Sequence, residues 1–268
     1  MLILLPPSEG KTAPATGDPV DLSALWLPEL APARRRVLNR LVALCKRSSA
    51  RGIADSLTTL GLSAGQRSEV TRNAGLAEAA AAPAAEVYTG VLYEALDLAG
   101  LDPAARAWAD ARAVVFSGLW GVVRPGDRIP AYRCSVGVSL PSVGGLAAYW
   151  RKALGRALDR AAAEGPVLDL RSGAYAGMWA PNPAVAARTA TVRVLHERTV
   201  DGQRRRSVVS HFNKATKGRL VRDLAAAGAA PRTVDELIAA LRDFGHSVEE
   251  APVAVGRPRS LDLVVTEL

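Results

Sequence analysis

Short, uninterrupted apolar runs mark the predicted strands of the chain. The first covers residues 1–5 and stops at Pro6-Pro7, as a strand does when it leaves a sheet. Comparable runs at 113–116 and 167–170 end in polar or glycine-containing segments. Because strands covered on both faces are apolar at nearly every position, we expect these segments to be buried inside a sheet.

Apolar residues at helical spacing predict the helices. A helix over 33–47 has an opposite face that carries Arg36, Arg40 and Arg47, which is either a solvated surface or a face that follows phosphates. Further helices are predicted over 51–60, 64–73, 213–227 and 234–242, and another, capped by Ser142, over 143–164.

The carboxyl-terminal third of the chain is rich in strand-forming residues. Residues 189–200 and 207–210 flank Asp201-Gly202, a turn pair typical of a hairpin, and residues 261–268 alternate as a closing strand. The run 204–206, three arginines beside the turn, is a solvated edge or, alternatively, a nucleic-acid contact. Since strands and helices interleave without a composition break or a repeat, the sequence predicts one mixed α/β domain over residues 1–268.

Composition and charge narrow the class of protein. The 268 residues include 34 Lys+Arg and 26 Asp+Glu, for a net charge of +8. A chain of this length buries enough surface to fold without disulfides, and two cysteines are too few for a disulfide framework, so we expect a cytoplasmic protein. No apolar run reaches the ~18 residues of a membrane helix, and the positive charge favours polyanionic partners.

The sequence lacks the motifs of several classes of enzyme. The three histidines, His196, His211 and His246, are not spaced as metal ligands, and no G-x-S-x-G elbow occurs. We therefore expect no metal and no cofactor. Cys134, beside Arg133, is interpreted as a small buried residue, with a reactive thiol as the alternative.

Lys11 is the first candidate for chemistry. Gly10-Lys11-Thr12 is similar to the end of a phosphate-binding loop, but Leu5 stands where that motif has its first glycine. The lysine nevertheless follows a predicted buried strand, at the end of a sheet where α/β proteins bind ligands. A buried lysine can lose its proton near neutral pH, so Lys11 is a candidate base or nucleophile, with a surface lysine as the alternative.

Two further segments carry candidate anion ligands. In residues 117–133, glycine N–H groups and arginine guanidinium groups could bind an anion; alternatively, Arg124 and Asp127 pin the turn while Tyr132 packs. In residues 210–219, Lys214 and Lys217 share one helical face close to unpaired N–H groups. The alternative there is a solvated helix start.

Four blocks together resemble the YaaA peroxide stress protein family. They are LILLPPSEGKT (2–12), VYTG (87–90), FSGLWGVVRP (116–125) and SHFNKATKG (210–218), and they keep the family's order. Tyr132-Arg133 and Ser172 with Tyr175 are also similar to family positions. The resemblance therefore spans nearly the whole chain.

The resemblance implies a fold and a set of roles. The fold is a mixed sheet wrapped by helices, described for the family as cantaloupe-like, with a positively charged cleft. The implied roles are oxidative-stress defence, limitation of iron damage, DNA repair and binding of duplex DNA, partly through a helix-hairpin-helix. Its counterpart lies around residues 60–63, where Ser63 and Arg67 replace a glycine and a small residue. The segment 6–11 matches the family's Ser-Pro-Ala-Lys form only at Lys11.

Two functional hypotheses follow. The first is a DNA-binding protein of the peroxide response, whose cleft cations neutralise phosphates of double-stranded DNA without reading sequence. The second is an enzyme acting on a nucleotide or nucleobase-like molecule, with Lys11 as base or nucleophile and Tyr132 or Tyr175 as proton donor. Both use the same candidate anion-binding set: Ser8, Ser117, Arg124, Arg133, Ser172, Lys214 and Lys217.

Overall fold

The computed structural model describes residues 1–200, 203–252 and 256–266 and confirms the mixed α/β class. Its strands are β1 (Leu2–Leu5), β2 (Ala82–Pro83), β3 (Ala113–Ser117), β4 (Gly121–Val123), β5 (Arg128–Ile129), β6 (Ser139–Leu140), β7 (Gly144–Gly145), β8 (Val167–Asp169), β9 (Thr189–Val200), β10 (Gln203–Ser207), β11 (Ser247–Glu250) and β12 (Arg259–Val265). The order of the main sheet is β11-β12-β9-β8-β1-β3-β4, and β10 pairs with β9. The sheet is mixed, as expected from the resemblance.

The apolar runs form the centre of this sheet. Strand β1 lies between β3 and β8 and is parallel to both, with Ile3 opposite Ala113 on one side and Leu168 on the other. Strand β9 is in turn parallel to β8 and β12. The carboxyl ends of β1 and β8 consequently meet at one edge, where parallel sheets bind ligands.

Eleven α-helices occur within the described residues and flank the sheet. They are α1 (Ala31–Cys45), α2 (Ala50–Leu60), α3 (Arg67–Ala74), α4 (Ala84–Val87), α5 (Val91–Leu96), α6 (Pro103–Arg112), α7 (Leu146–Ala161), α8 (Gly173–Ala176), α9 (Pro183–Ala186), α10 (Ser210–Ala226) and α11 (Val234–Asp243). Helix α2 is capped by the Ser49 side chain, which accepts from the Gly52 N–H, and ends at Gly61 in the left-handed conformation. The predicted glycine stop between α2 and α3 is confirmed.

Several predicted boundaries differ from those of the structure. Helix α7 begins at Leu146, not at residue 143, because Ser142 has a positive φ of 63° and Gly144–Gly145 pair as strand β7 with β6. Helix α10 begins at Ser210, three residues earlier than predicted, and the second hairpin strand is Gln203–Ser207. The pairing of β9 with β10 confirms the hairpin, whereas its turn, Asp201-Gly202, lies outside the described residues.

Buried hydrophobic side chains from Leu2 to Leu263 form one contiguous cluster. Both cysteines are buried and unpaired, and burial raises the pKa of the Cys134 thiol to about 12, which excludes a low-pKa nucleophile there. In the portion of the chain that the structure describes, no helix has the length and apolar character needed to cross a bilayer.

Candidate functional site

A cavity of about 570 Å³ opens where the chain leaves β1 and β8. We call it the β1–β8 cleft. One wall is the loop that follows β1, the second is the start of α5, and the third combines the loop after β8 with α10. The residues that line it are Pro6, Pro7, Ser8, Glu9, Gly10, Thr89, Gly90, Val91, Leu92, Tyr93, Arg171, Ser172, Gly173, Tyr175, Val192, Arg193, Asn213, Lys214 and Lys217. The cleft thus lies where the sequence predicted a ligand site.

Helix α10 reaches the cleft through a close approach to α5. A Cβ atom at Gly218 would lie 2.2 Å from the Leu92 carbonyl oxygen and 2.8 Å from the Ala95 Cβ, so only glycine fits between the two helices. This contact sets the distance between the two walls. It also places Lys214 and Lys217, which precede Gly218 on the same helix, at the cleft.

Lys217 is a buried cation with unused hydrogen-bonding capacity. Its side chain is buried, and its Nζ donates one hydrogen bond, of 3.0 Å, to the Leu170 carbonyl at the end of β8. An ammonium group has three N–H donors, so two remain beyond that bond. Burial lowers the pKa of Lys217, while the nearby Asp169 carboxylate acts in the opposite direction.

Asn213 supplies a second unsatisfied polar group to the same wall. Its Oδ1 atom is shielded from solvent and has no hydrogen-bond partner among the described residues. Buried polar oxygens are almost always hydrogen-bonded in folded proteins. Asn213 and Lys217 therefore form a polar patch in the cleft whose bonding capacity is not used within the protein.

The loop after β8 is held by a buried ion pair. Arg171 donates from Nε and Nη2 to the two oxygens of Asp169, at 2.9 and 2.6 Å. Its Nη1 donates to the carbonyls of Tyr175, Ala176 and Trp179, and its guanidinium lies over the Phe116 ring. With every donor group engaged, Arg171 positions Ser172 and Tyr175 instead of binding a ligand itself.

Some of the basic side chains at the cleft are paired with carboxylates, and others are not. Arg193 makes a bidentate ion pair with Asp262, and Glu9 pairs with Arg133. Lys214 is exposed at the cleft and, like Lys217, makes no ion pair within the described residues. The free positive charge of the cleft consequently resides on these two lysines.

Lys11 lies beneath the loop that forms the first wall. Its Nζ donates to the Ser8 carbonyl at 2.7 Å and lies 4.4 Å from the centre of the Tyr132 ring. Burial lowers the pKa of Lys11 to about 8, because the charged form loses hydration, and the Glu9 carboxylate partly offsets this effect. Lys11 stays a candidate base, but its ammonium group does not line the cleft.

Tyr132 and Ser117 form a buried hydroxyl chain behind Lys11. The Tyr132 hydroxyl is 2.6 Å from Ser117 Oγ and 2.9 Å from the Tyr88 hydroxyl, and Ser117 Oγ also accepts from the Trp120 N–H. Desolvation raises the pKa of Tyr132 well above its ordinary value. Neither residue lines the cleft, so neither contacts a ligand placed there.

Arg124 faces away from the cleft. Its guanidinium donates to the Ala111 carbonyl at 2.6 Å and stacks on the Trp26 ring, while its backbone N–H donates to Asp127. The expectation that Arg124 clamps an anion in the cleft is therefore corrected. The alternative considered from the sequence, a turn pinned by Arg124 and Asp127, describes its contacts.

Five of the predicted residues meet in the cleft: Ser8, Ser172, Tyr175, Lys214 and Lys217. Lys11 and Arg133 lie against the loop that borders it. Sequence reasoning missed Asn213, Arg171 and Glu9. Asn213 and Arg171 each stand next to predicted residues in the chain, and the apolar strand that precedes Arg171 was the available signal.

The described residues do not bring potential metal ligands together. Within residues 1–200, 203–252 and 256–266, no group of three or more His, Cys, Asp or Glu side chains could hold a metal ion. Of the three histidines, His246 bonds through Nε2 to the Asp223 carboxylate at 3.0 Å. His196 packs edge-on against the Phe212 ring.

Comparison with known proteins identifies relatives over the full length. The model of the family described as peroxide stress protein YaaA matches residues 1–251. UPF0246 protein SCO2297 of Streptomyces coelicolor is 56% identical over 269 residues, covering 100% of both chains. UPF0246 protein CE1889 of Corynebacterium efficiens is 40% identical, and a UPF0246 protein of Corynebacterium glutamicum is 37% identical, each covering 99% of this chain and 100% of its own.

Proposed function

The chain belongs to the peroxide stress protein YaaA family, and we propose that within this family it binds a small phosphorylated, nucleotide-like molecule in the β1–β8 cleft. The observation that carries the proposal is Lys217, a buried ammonium group with one hydrogen bond to the protein. A buried charge costs free energy unless it is paired, so a chain that retains one at a cavity favours an anionic ligand.

The rest of the lining supports a ligand with a flat apolar body. Pro6, Val91, Tyr93 and Val192 add apolar surface to the same lining. The volume of about 570 Å³ falls within the roughly 300–1,000 Å³ of small-molecule sites. A nucleotide combines a phosphate for the lysines with a planar base for the apolar wall.

Chemistry on that ligand is the second part of the proposal. Lys11, with a pKa of about 8, exists in part as the free amine near neutral pH and can accept a proton or attack an electrophile. Its Nζ donates to carbonyls of the loop that lines the cleft, so it acts on the ligand through a change in its own side-chain conformation that breaks these hydrogen bonds. Tyr175, which lines the cleft, is the proton donor in this proposal.

Binding of adenosine 5′-monophosphate, measured by isothermal titration, tests the proposal. Lys217→Gln keeps a hydrogen-bond donor and removes the charge, and we expect its affinity to fall about 10- to 100-fold. Lys152→Gln, on the exposed face of α7, removes the same charge elsewhere and should leave affinity unchanged. Absence of binding to the wild-type protein, or equal binding by both variants, would overturn the proposal.

A role in the peroxide response is proposed from the family description. A host strain that lacks the chain should lose viability in hydrogen peroxide, and the wild-type gene should restore it. If the cleft serves that role, Lys217→Gln should not restore it. Rescue by Lys217→Gln at normal protein levels would separate the cleft from the stress function. Limitation of iron damage stays a prediction from the resemblance.

Binding of duplex DNA is the second candidate function, and a specific surface favours it. Arg40, Lys46, Arg51 and Arg67, on or beside helices α1–α3, are exposed and make no ion pair within the described residues. Helices α2 and α3 flank the Gly61 turn, at the position that the family resemblance assigns to a helix-hairpin-helix. Such a surface can neutralise phosphates without reading bases.

The salt dependence of DNA binding tests this second candidate. Replacing the four cations by glutamine should weaken binding to a short duplex and lower the slope of log affinity against log salt by up to about 4. Lys152→Gln/Arg156→Gln on α7 is the control. Binding that is absent at low salt, or insensitive to the four replacements, would contradict DNA recognition by this surface.

A further inference from the structure

The carboxylate of Glu9 forms an ion pair with the guanidinium group of Arg133 at the edge of the β1–β8 cleft. Glu9 Oε2 lies 2.8 Å from Arg133 Nη2, and Arg133 Nη1 donates to the Glu9 main-chain carbonyl at 3.3 Å. Glu9 itself lines the cleft. The acidic side chain of Glu9 therefore pairs with a cation, Arg133, next to the proposed ligand site.

Arg133 is held in place by a buried residue. Asn73, on α3, is fully buried; its Nδ2 donates to the Arg133 carbonyl at 2.7 Å, and its Oδ1 accepts from the Arg133 N–H at 3.0 Å. Both backbone groups of Arg133 are thus fixed by one side chain, independently of Glu9. Removing Glu9 leaves this support of the backbone intact.

Lys11 supports the loop that carries Glu9. Its Nζ donates to the carbonyls of Ser8 and Glu9, and the Glu9 carboxylate attracts it electrostatically. The loop backbone is fixed on both sides, because Ser8 Oγ accepts from the Thr89 N–H and the Thr12 N–H donates to the Val87 carbonyl. The Glu9 side chain can leave by rotation about its own bonds while this backbone stays in place.

The Glu9–Arg133 pair is the more easily released of the two ion pairs at the cleft. Asp262 accepts two hydrogen bonds from Arg193, and the side chains of Arg193 and Asp262 are 63% and 20% exposed. Glu9 offers one carboxylate oxygen to Arg133, and the side chains of Arg133 and Glu9 are 23% and 60% exposed. The two pairs therefore differ in the number of contacts and not in exposure, and a partly exposed pair with a single carboxylate contact contributes little to stability, so a competing anion can displace it.

We propose that Arg133 forms a second anion subsite, which takes a further phosphate group of the cleft ligand, and that Glu9 is its built-in competitor. The inference rests on the proposed function, because the ligand enters through the β1–β8 cleft. It specifies that function further: the ligand carries two phosphate groups, one on Lys217 and one on Arg133, as in a nucleoside diphosphate.

Binding of adenosine 5′-diphosphate to a double-mutant cycle tests the subsite. Glu9→Gln keeps the size of the side chain and removes its charge, and we expect it to bind the diphosphate about fivefold tighter than the wild-type protein. In an Arg133→Gln background the same replacement should give no gain. Circular dichroism and thermal melting check that each variant folds.

A control variant distinguishes the loss of the Glu9 carboxylate from a general loss of negative charge. Glu78→Gln removes an equal charge from an exposed glutamate outside the cleft and should not change affinity. Equal affinities of Glu9→Gln and Glu78→Gln, or a gain from Glu9→Gln that persists without Arg133, would overturn the subsite. If the monophosphate still binds in a Lys217-dependent manner, only this inference falls; if neither nucleotide binds to any variant, the proposed function falls with it.

Discussion

Two buried cations in this protein differ in how fully their donors are used. Arg34, on α1, has a fully buried side chain and donates to the carbonyls of Trp120, Leu27, Trp26 and Val122, at 2.6 to 3.2 Å. Lys217, on α10, is 7% exposed and donates to one carbonyl. The first cation joins helix α1 to the turn that follows β3, whereas the second faces a cavity.

The difference between Arg34 and Lys217 shows what the burial of a charged side chain indicates about its role. A buried cation whose donors all meet protein acceptors stabilises the fold, since losing it leaves several carbonyls unsatisfied. A buried cation with spare donors at a cavity costs stability and is retained for what it binds. Replacement should therefore reduce stability strongly at Arg34 and change it little at Lys217.

The largest expected effect is at Arg34. Arg34→Met keeps a long apolar side chain but removes four hydrogen bonds to main-chain carbonyls, of which those of Leu27 and Trp120 keep a main-chain donor, so the free energy of unfolding should fall by about 3–5 kcal/mol. Urea denaturation measures it. Arg40→Met, an exposed arginine on the same helix, should change stability by less than about 0.5 kcal/mol. A loss at Arg34 no larger than at Arg40 would break the comparison.

The next effect is a pH dependence caused by Lys11. In the unfolded chain Lys11 holds its proton up to about pH 10.5, whereas in the folded protein its pKa is about 8. Between these values the unfolded state binds more protons, so raising the pH favours folding. Relative to Lys11→Met, the wild-type protein should gain on the order of 1–3 kcal/mol from pH 8 to pH 10.5.

The comparison with Lys11→Met cancels other groups that titrate in that range. Burial raises the pKa values of Tyr88, Tyr93 and Tyr132, and these phenols act in the opposite direction because the unfolded state loses their protons first. They are present in both proteins. A stability difference that stays constant with pH, measured by urea titrations at each pH, would show that Lys11 is not desolvated.

The smallest expected change in stability is at Lys217. Lys217→Met removes a buried charge and one hydrogen bond, two effects that oppose each other, so the free energy of unfolding should change by no more than about 1 kcal/mol. Affinity for the monophosphate should be lost in the same variant. A loss of stability above about 3 kcal/mol would place Lys217 with Arg34, as a structural cation.

The parts of the fold predicted from sequence are those set by local pattern. The apolar runs that became β1, β3 and β8 are buried throughout, and Gly61 ends α2 with the left-handed conformation that glycine adopts readily. Strand β11 was missed because Val248 alone is buried in it, so its pairing with β12 and not its own apolarity defines it. Ser142 failed as a cap because strand pairing of β6 with β7 determines the backbone there.

The sequence predicted the site best where its residues follow a buried strand. Ser8 and Ser172 follow buried strands, as predicted, and the pairing of β1 with β8 brings them together. Arg124 was assigned to the site because arginines in the segment after the predicted strand 113–116 could bind an anion, but β4 is antiparallel to β3 and carries it away. The role of Arg34 could not be predicted, since its four carbonyl partners lie up to 88 positions away.

A crystal structure of the protein with adenosine 5′-monophosphate tests the central claim most directly. The account predicts a phosphate oxygen within about 3 Å of Lys217 Nζ, with the base against Tyr93 and Val192. A nucleotide bound elsewhere, for example on helices α1–α3, with Lys217 still bonded to Leu170 alone, would contradict it.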